Sequence, residues 1–204
     1  MTIELWITLA AANFAAYLAP GQNVALVGAA TARAGLRGGV ASVSGILVAE
    51  FIWTAVALAL VLAAREVEAG AMHFLQIGGG IFLVWSGYGV LRGPRTEADR
   101  ADTTPSSVAR YAAFGVWVGL ANPLALFFFV SIFPGLITIG GPQTALGLLA
   151  FCGSAVVVSS LLALLPYLAA SQVLVRVGQS NLLNLMSGGA LLSIGVVALA
   201  WTFA

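Results

Sequence analysis

The sequence predicts an all-α integral membrane protein, with six transmembrane helices arranged as two inverted three-helix repeats and with the first and fourth helices broken. Three observations predict it. The composition, 61% hydrophobic and 7% charged with a mean hydropathy of +1.05, leaves too few polar groups to cover a water-facing surface. Apolar runs long enough for a hydrocarbon core of about 30 Å recur along the chain, separated by short polar connections. Two of these runs are interrupted at corresponding places, by Ala19-Pro20-Gly21-Gln22-Asn23 in the first half and by Asn122-Pro123 in the second.

The same composition excludes several function classes. The chain has no room for a soluble enzyme domain, so it reads as a non-enzyme. A formal net charge of +1, spread over loops without a basic stripe, argues against a nucleic-acid partner. Cys152 is the single cysteine, which rules out an internal disulfide, a CxxC redox pair and a thiolate metal cluster. Neither a metal site nor a cofactor is expected.

The first span starts at Met1-Thr2-Ile3-Glu4-Leu5-Trp6, which lacks the basic region of a secretory signal, and its apolar run outlasts a signal h-region, so it reads as retained. Residues Ile3 to Leu18 are short of the roughly 20 needed to cross, and extension to Ala30 places Pro20 and Gly21 inside the membrane. Proline removes a backbone donor and glycine is a poor helix former, so the helix breaks there. Asn13, two helical turns before Pro20, falls on the same face, either lining the same cavity or bonding a neighbouring helix. Thr31 to Gly38 reads as a turn, and a second span follows from about Gly39 to Ala63.

That second span carries Glu50, the one acidic residue in the interior of any span. An ionised carboxylate at mid-membrane costs on the order of 3 kcal/mol on insertion scales. Two readings stay open: a group facing a substrate pathway, or a protonated group binding helices together. After a polar connection at Arg65-Glu66-Val67-Glu68, a third span runs from about Met72 to Leu91, with His73 at its mouth reading as an interface residue. Its Gly78-Gly79-Gly80, Gly87 and Gly89 suit close helix packing.

Charged and small polar residues from Arg92 to Arg110, with Pro94 and Pro105, form a linker between halves. The domains are therefore 1–91, the first repeat; 92–110, a cytoplasmic linker loop; and 111–204, the second repeat. The fourth span, about Tyr111 to Ile137, is broken at Asn122-Pro123 and continues into Phe127-Phe128-Phe129, apolar bulk for lipid or for neighbouring helices. A fifth span runs from about Pro142 to Ala169 and a sixth from about Leu182 to Trp201. Gly79-Gly80 and Gly188-Gly189 mark a faint internal repeat. With three spans per half, the second copy enters the membrane in the opposite direction, a recurring design of secondary transporters with broken helices at the midplane.

A broken helix in hydrocarbon leaves backbone groups unpaired unless protein or a polar cavity satisfies them. Half-helix N-termini favour an anionic group and half-helix C-termini an ammonium, and a zwitterionic amino acid presents both. Pro20, Gly21, Gln22, Asn23, Asn122 and Pro123 are therefore the candidate substrate-binding residues, and Glu50 the candidate proton-coupling residue. No nucleotide-binding motif is present to power transport, which leaves ion gradients.

The pair Pro20-Gly21-Gln22-Asn23 and Asn122-Pro123-Leu124 resembles the Pro-Gly-Pro-type and Asn-Pro-Lys-type motifs of the LysE/RhtB family of amino-acid exporters. The length, the hydropathy rhythm and Gly35, Gly38 and Gly45 extend the resemblance over nearly the whole chain. Gln22 stands where the family usually has proline, and Leu124 where it often has lysine. The resemblance implies a multi-pass exporter of amino acids or close derivatives in the cell (inner) membrane. Its partners would be the lipid bilayer, protons and an amino-acid substrate, with a homodimer left open. Without that lysine or a second buried acid, neutral substrates such as threonine, homoserine or leucine are favoured over basic ones. A passive channel or a non-transporting membrane assembly subunit remains the alternative. All eight basic residues are arginines; seven fall in the first, third and fifth connections against Arg65 alone in the second. The positive-inside rule then puts both termini outside the cytoplasm.

Overall fold

The computed structural model describes residues 1–17, 21–67, 69–92, 107–140, 144–169 and 181–202, and all its regular elements are helices. They are α1 (Ile3–Tyr17), α2 (Gln22–Val67), α3 (Ala69–Leu91), α4 (Val108–Leu120), α5 (Pro123–Gly140), α6 (Ala145–Ala169) and α7 (Asn181–Thr202). Gln22–Ala64, Pro123–Gly140 and Ala145–Ala169 are each long and apolar enough to cross a membrane, and Ile3–Tyr17 and Val108–Leu120 are shorter apolar helices. The chain is an all-α, multi-pass membrane protein.

The distribution of side chains fits a hydrocarbon solvent. Asn13, Asn23, Ser42, Glu50, Thr54, Ser131, Ser159 and Ser160 are buried, while Phe74, Trp117 and Leu146 are exposed at 78%, 68% and 76%. In water this would expose apolar surface at a large cost; in lipid the outside is as apolar as leucine and polar groups gather inside.

Both expected breaks are present. At the first, Gly21 is non-helical and α2 starts at Gln22; residues 18–20, Pro20 among them, lie outside the described residues. The second leaves Ala121 and Asn122 between α4 and α5. The expected turn from Thr31 to Gly38 is tighter than the sequence suggested, since Gly35 alone leaves the helical conformation, at φ 64 and ψ −165. That left-handed backbone suits glycine because it lacks a Cβ. Thr31 and Gly39 then touch across the bend, although residues eight apart lie about 12 Å apart in a straight helix. The chain therefore folds back, and α2 is two antiparallel arms, 22–34 and 36–67.

Glycines and small side chains set how the helices meet. The long arm of α2 runs parallel to α4: Gly45 lies on the Ala112 carbonyl and Val116 amide, Gly115 on Ser42 and Ile46, and Gly119 on Ala49. Helix α3 runs antiparallel to α7, with Gly80 against Gly195 and Gly87 against Gly188. Gly79 faces Ser131 and Phe127 of α5, whereas Gly78 and Gly89 face open space. The packing role expected of this glycine group thus falls to three of its five members. Helices α1 and α6 run parallel, since Trp6 Nε1 donates to Ser154 Oγ at 3.0 Å and Asn13 Nδ2 donates to the hydroxyls of Ser159 and Ser160, each at 2.9 Å. Of the two roles open to Asn13, the structure gives it the bond to a neighbouring helix.

The aromatic run faces protein. Phe128 and Phe129 are buried, Phe129 stacks on Phe133 with ring centroids 5.2 Å apart, and Phe127 stacks on Phe82 at 4.2 Å. Cys152 is a fully buried member of the same core, with Leu9, Leu148, Val156 and Leu191.

Candidate functional site

Four segments converge on Glu50. It sits in the middle of the long arm of α2, 3% exposed, and its Oε1 accepts a hydrogen bond from the Tyr17 hydroxyl at 2.8 Å. Tyr17 is the last described residue of α1, four positions before Gly21. On the other side of the first break Asn23, 5% exposed, donates from Nδ2 to the same Tyr17 oxygen at 3.1 Å. Ser160 of α6 accepts from Asn13 and lies beside the Tyr17 hydroxyl. A polar chain therefore runs from Asn13 through Ser160 and Tyr17 to Glu50 and Asn23, tying α1, α6 and both arms of α2.

The second break reaches the same neighbourhood through the end of α4. Gln22 Nε2 donates to the Val118 carbonyl at 3.1 Å, so the start of α2 is pinned to the last turn of α4. The Gly119 carbonyl accepts from Asn122 N at 3.3 Å and from Trp53 Nε1 at 3.2 Å, and Trp53 lies one turn after Glu50. Asn122 Oδ1 accepts from Leu124 N at 3.1 Å. With Pro123 as the first residue of α5, this is a helix cap, in which an asparagine oxygen satisfies an otherwise orphaned amide.

The predicted residues thus separate by environment. Asn23 and Glu50 share one buried cluster; Gln22 and Asn122 hold the broken ends against α4; Gly21 and Pro123 are exposed backbone positions beside them. Tyr17, which joins Asn23 to Glu50, is not among the residues picked out from the sequence. A signal was present, since Tyr17 lies four residues after Asn13, on the same helix face.

The cluster offers acceptors and hydroxyls rather than a nucleophile with a base. Among the described residues no group of three or more His, Cys, Asp and Glu is placed to hold a metal ion. The side chain of His73 lies outside the described residues.

Comparison with known proteins places this sequence in a family. Residues 14–201 match the model of the LysE type translocator. Threonine efflux proteins from Salmonella typhi and from Escherichia coli K12 are each 29% identical over 135 residues, covering 64% of this chain and 66% of the relative. That of Salmonella typhimurium is 29% identical over 133 residues, covering 63% and 65%. The chain therefore spans just under two thirds of the length of these curated relatives. No solved structure matches it. A family match from the helix before the first break to the penultimate residue of the last described helix leads to one conclusion: the chain belongs to the LysE family of translocators.

Proposed function

We propose that the protein is a secondary active exporter of amino acids, driven by protons moving inward, with Glu50 carrying the coupling proton. The observation that carries this reading is the burial of the Glu50 carboxyl group where the two broken helices meet, the one buried acid among the described residues. A membrane-embedded acid is costly, and exchange of a proton there gives the cost a use. Neutral amino acids are the favoured substrates. The similarity to threonine efflux proteins supports that class, as does the absence of a cation after Asn122-Pro123.

Six crossings in two inverted repeats are part of this proposal. Helix directions support it: if direction alternates with each crossing, the second and fourth crossings run parallel and the third and sixth antiparallel. The long arm of α2 with α4, and α3 with α7, pack in those senses. The site then lies between repeats, where alternating access needs it. Exchange in proteoliposomes tests the function. External unlabelled L-threonine, homoserine or leucine should accelerate exit of the labelled amino acid from wild-type vesicles, and lysine should do so poorly. A channel would show no trans-acceleration, and silence across the panel would remove the exporter reading.

Both termini and the Arg65 end are proposed to be extracytoplasmic. Arg33, Arg37 and Arg110 are exposed at one end of the bundle, where Leu36 and Arg37 border Val108 at the start of α4. Single cysteines at Thr2 or Thr103, with buried Cys152 replaced by alanine, can be exposed to a membrane-impermeant maleimide on intact cells. Labelling is expected at position 2 only; labelling at position 103 only would reverse the orientation.

A further inference from the structure

Buried polar atoms in a membrane protein are nearly always paired, because hydrocarbon supplies no partners. Among the described residues two side-chain atoms are not: Asn23 Oδ1 and Glu50 Oε2 are buried without a protein hydrogen bond. Both belong to side chains more than nine-tenths buried, and both side chains are held by the one Tyr17 hydroxyl. The Tyr17 proton is committed to Glu50 Oε1, so it cannot serve either orphan. The atoms left over are acceptors, and one of them is a carboxylate oxygen. A ligand that completes this cluster must bring N–H or O–H donors and, for the carboxylate, positive charge. A primary ammonium brings three donors and one charge in a compact group.

We infer that Asn23 Oδ1 and Glu50 Oε2 form the subsite for the substrate's ammonium group, with Tyr17 as the positioning residue, and that ammonium and proton compete for the Glu50 carboxylate. The inference rests on the exporter reading above and deepens it. In the substrate-free state a proton occupies the carboxyl group. When substrate arrives, the Glu50 O–H bond breaks, the proton leaves to water on that side, and the carboxylate accepts from the R–NH3⁺ group; the ammonium replaces the proton as the positive charge on Glu50, and the zwitterion's own carboxylate adds one negative charge. Antiport then follows from mutual exclusion at one oxygen pair, with no second acid required.

Other groups do not compete with this assignment. Tyr17 is the titratable group bonded to Glu50; Cys152 and Tyr167 on α6, Tyr111 on α4 and Tyr88 on α3 are the other thiol and phenol groups on the helices that contact α2, among the described residues. Arg33, Arg37, Arg92, Arg110 and Glu4 are exposed at helix ends.

Equilibrium binding of labelled L-threonine to the purified full-length protein in lipid nanodiscs, between about pH 5 and about pH 8, tests the inference. Toward the acid end the apparent Kd should rise about tenfold per pH unit, the slope for one competing proton. Unlabelled 2,3-dihydroxybutanoate, which carries a hydroxyl in place of the ammonium, should fail to compete even in large excess. Glu50→Gln should bind about tenfold or more weakly and lose the pH dependence, since a charge-assisted bond becomes a neutral one. Tyr17→Phe should shift the midpoint of the pH curve while keeping its slope, an effect that loss of packing alone would not produce. If wild type binds L-threonine with a pH-independent Kd and the hydroxy acid competes equally, the subsite is overturned while the exporter reading stands. These wild-type measurements decide the matter even if a variant does not fold. If wild type neither binds nor exchanges any amino acid of the panel, both fall.

Discussion

Replacing Glu50 by glutamine is expected to abolish uphill export driven by a pH gradient. One proton descending about 100 mV and about one pH unit releases roughly 3.7 kcal/mol, enough to hold about a 500-fold gradient of a neutral zwitterion. A single titrating group therefore suffices. Glutamine keeps the length of the side chain and an oxygen to accept from Tyr17, so the 2.8 Å contact and the fold around it can persist. It cannot carry a proton. Proteoliposomes with an imposed pH gradient should accumulate labelled L-threonine with the wild-type protein and only equilibrate it with the variant. Full gradient-driven accumulation by Glu50→Gln would leave this carboxyl group as an element of helix packing and move the coupling elsewhere.

The second large effect is on stability, at the contact of the long arm of α2 with α4. A Cβ on Gly45 would overlap the Ala112 carbonyl and the Val116 amide, and one on Gly115 would overlap the Ser42 carbonyl and the backbone of Ile46. Backbone cannot rotate aside as a side chain can, so the helices must separate. Gly45→Ala and Gly115→Ala should each cost about 1–3 kcal/mol, the usual range for overpacking, and larger side chains more. Gly78 and Gly89 are internal controls, because nothing lies within 4 Å of a Cβ built there and alanine is the better helix former. Thermal unfolding of the purified protein in detergent should rank Gly45→Ala and Gly115→Ala well below wild type, and Gly78→Ala and Gly89→Ala at or above it. Equal midpoints across the four variants would contradict the close α2–α4 contact.

Hydropathy and helix-breaking residues act locally, and they were legible along the chain. The apolar runs became α1 to α7 with boundaries within a few residues of those expected, and Asn122-Pro123 separates α4 from α5 because proline and an asparagine cap act on their own turn. Glu50 stood out for a similar reason: a lone acid in an apolar run is anomalous whatever it touches. Contact partners were not legible. Gly115 and Gly119 form a GxxxG pair, but glycine spacing on one helix does not name the helix it meets.

The lipid solvent of this protein, the places where its helices break and the carboxyl group set within an apolar run are properties of residues adjacent in the chain, and all three can be read there. Packing in three dimensions was needed to show that Asn13 bonds Ser159 and Ser160, 146 and 147 positions away, that Gln22 reaches Val118, and that Tyr17 links Asn23 to Glu50. It also separated two asparagines that looked equivalent. Asn122 Oδ1 is satisfied by the amide two residues on, whereas Asn23 Oδ1 is buried without a partner. The physical reason is that hydrogen-bond satisfaction depends on which atoms surround a group in three dimensions, and in a helical bundle those atoms come from segments whose separation in sequence carries no information about their distance in space.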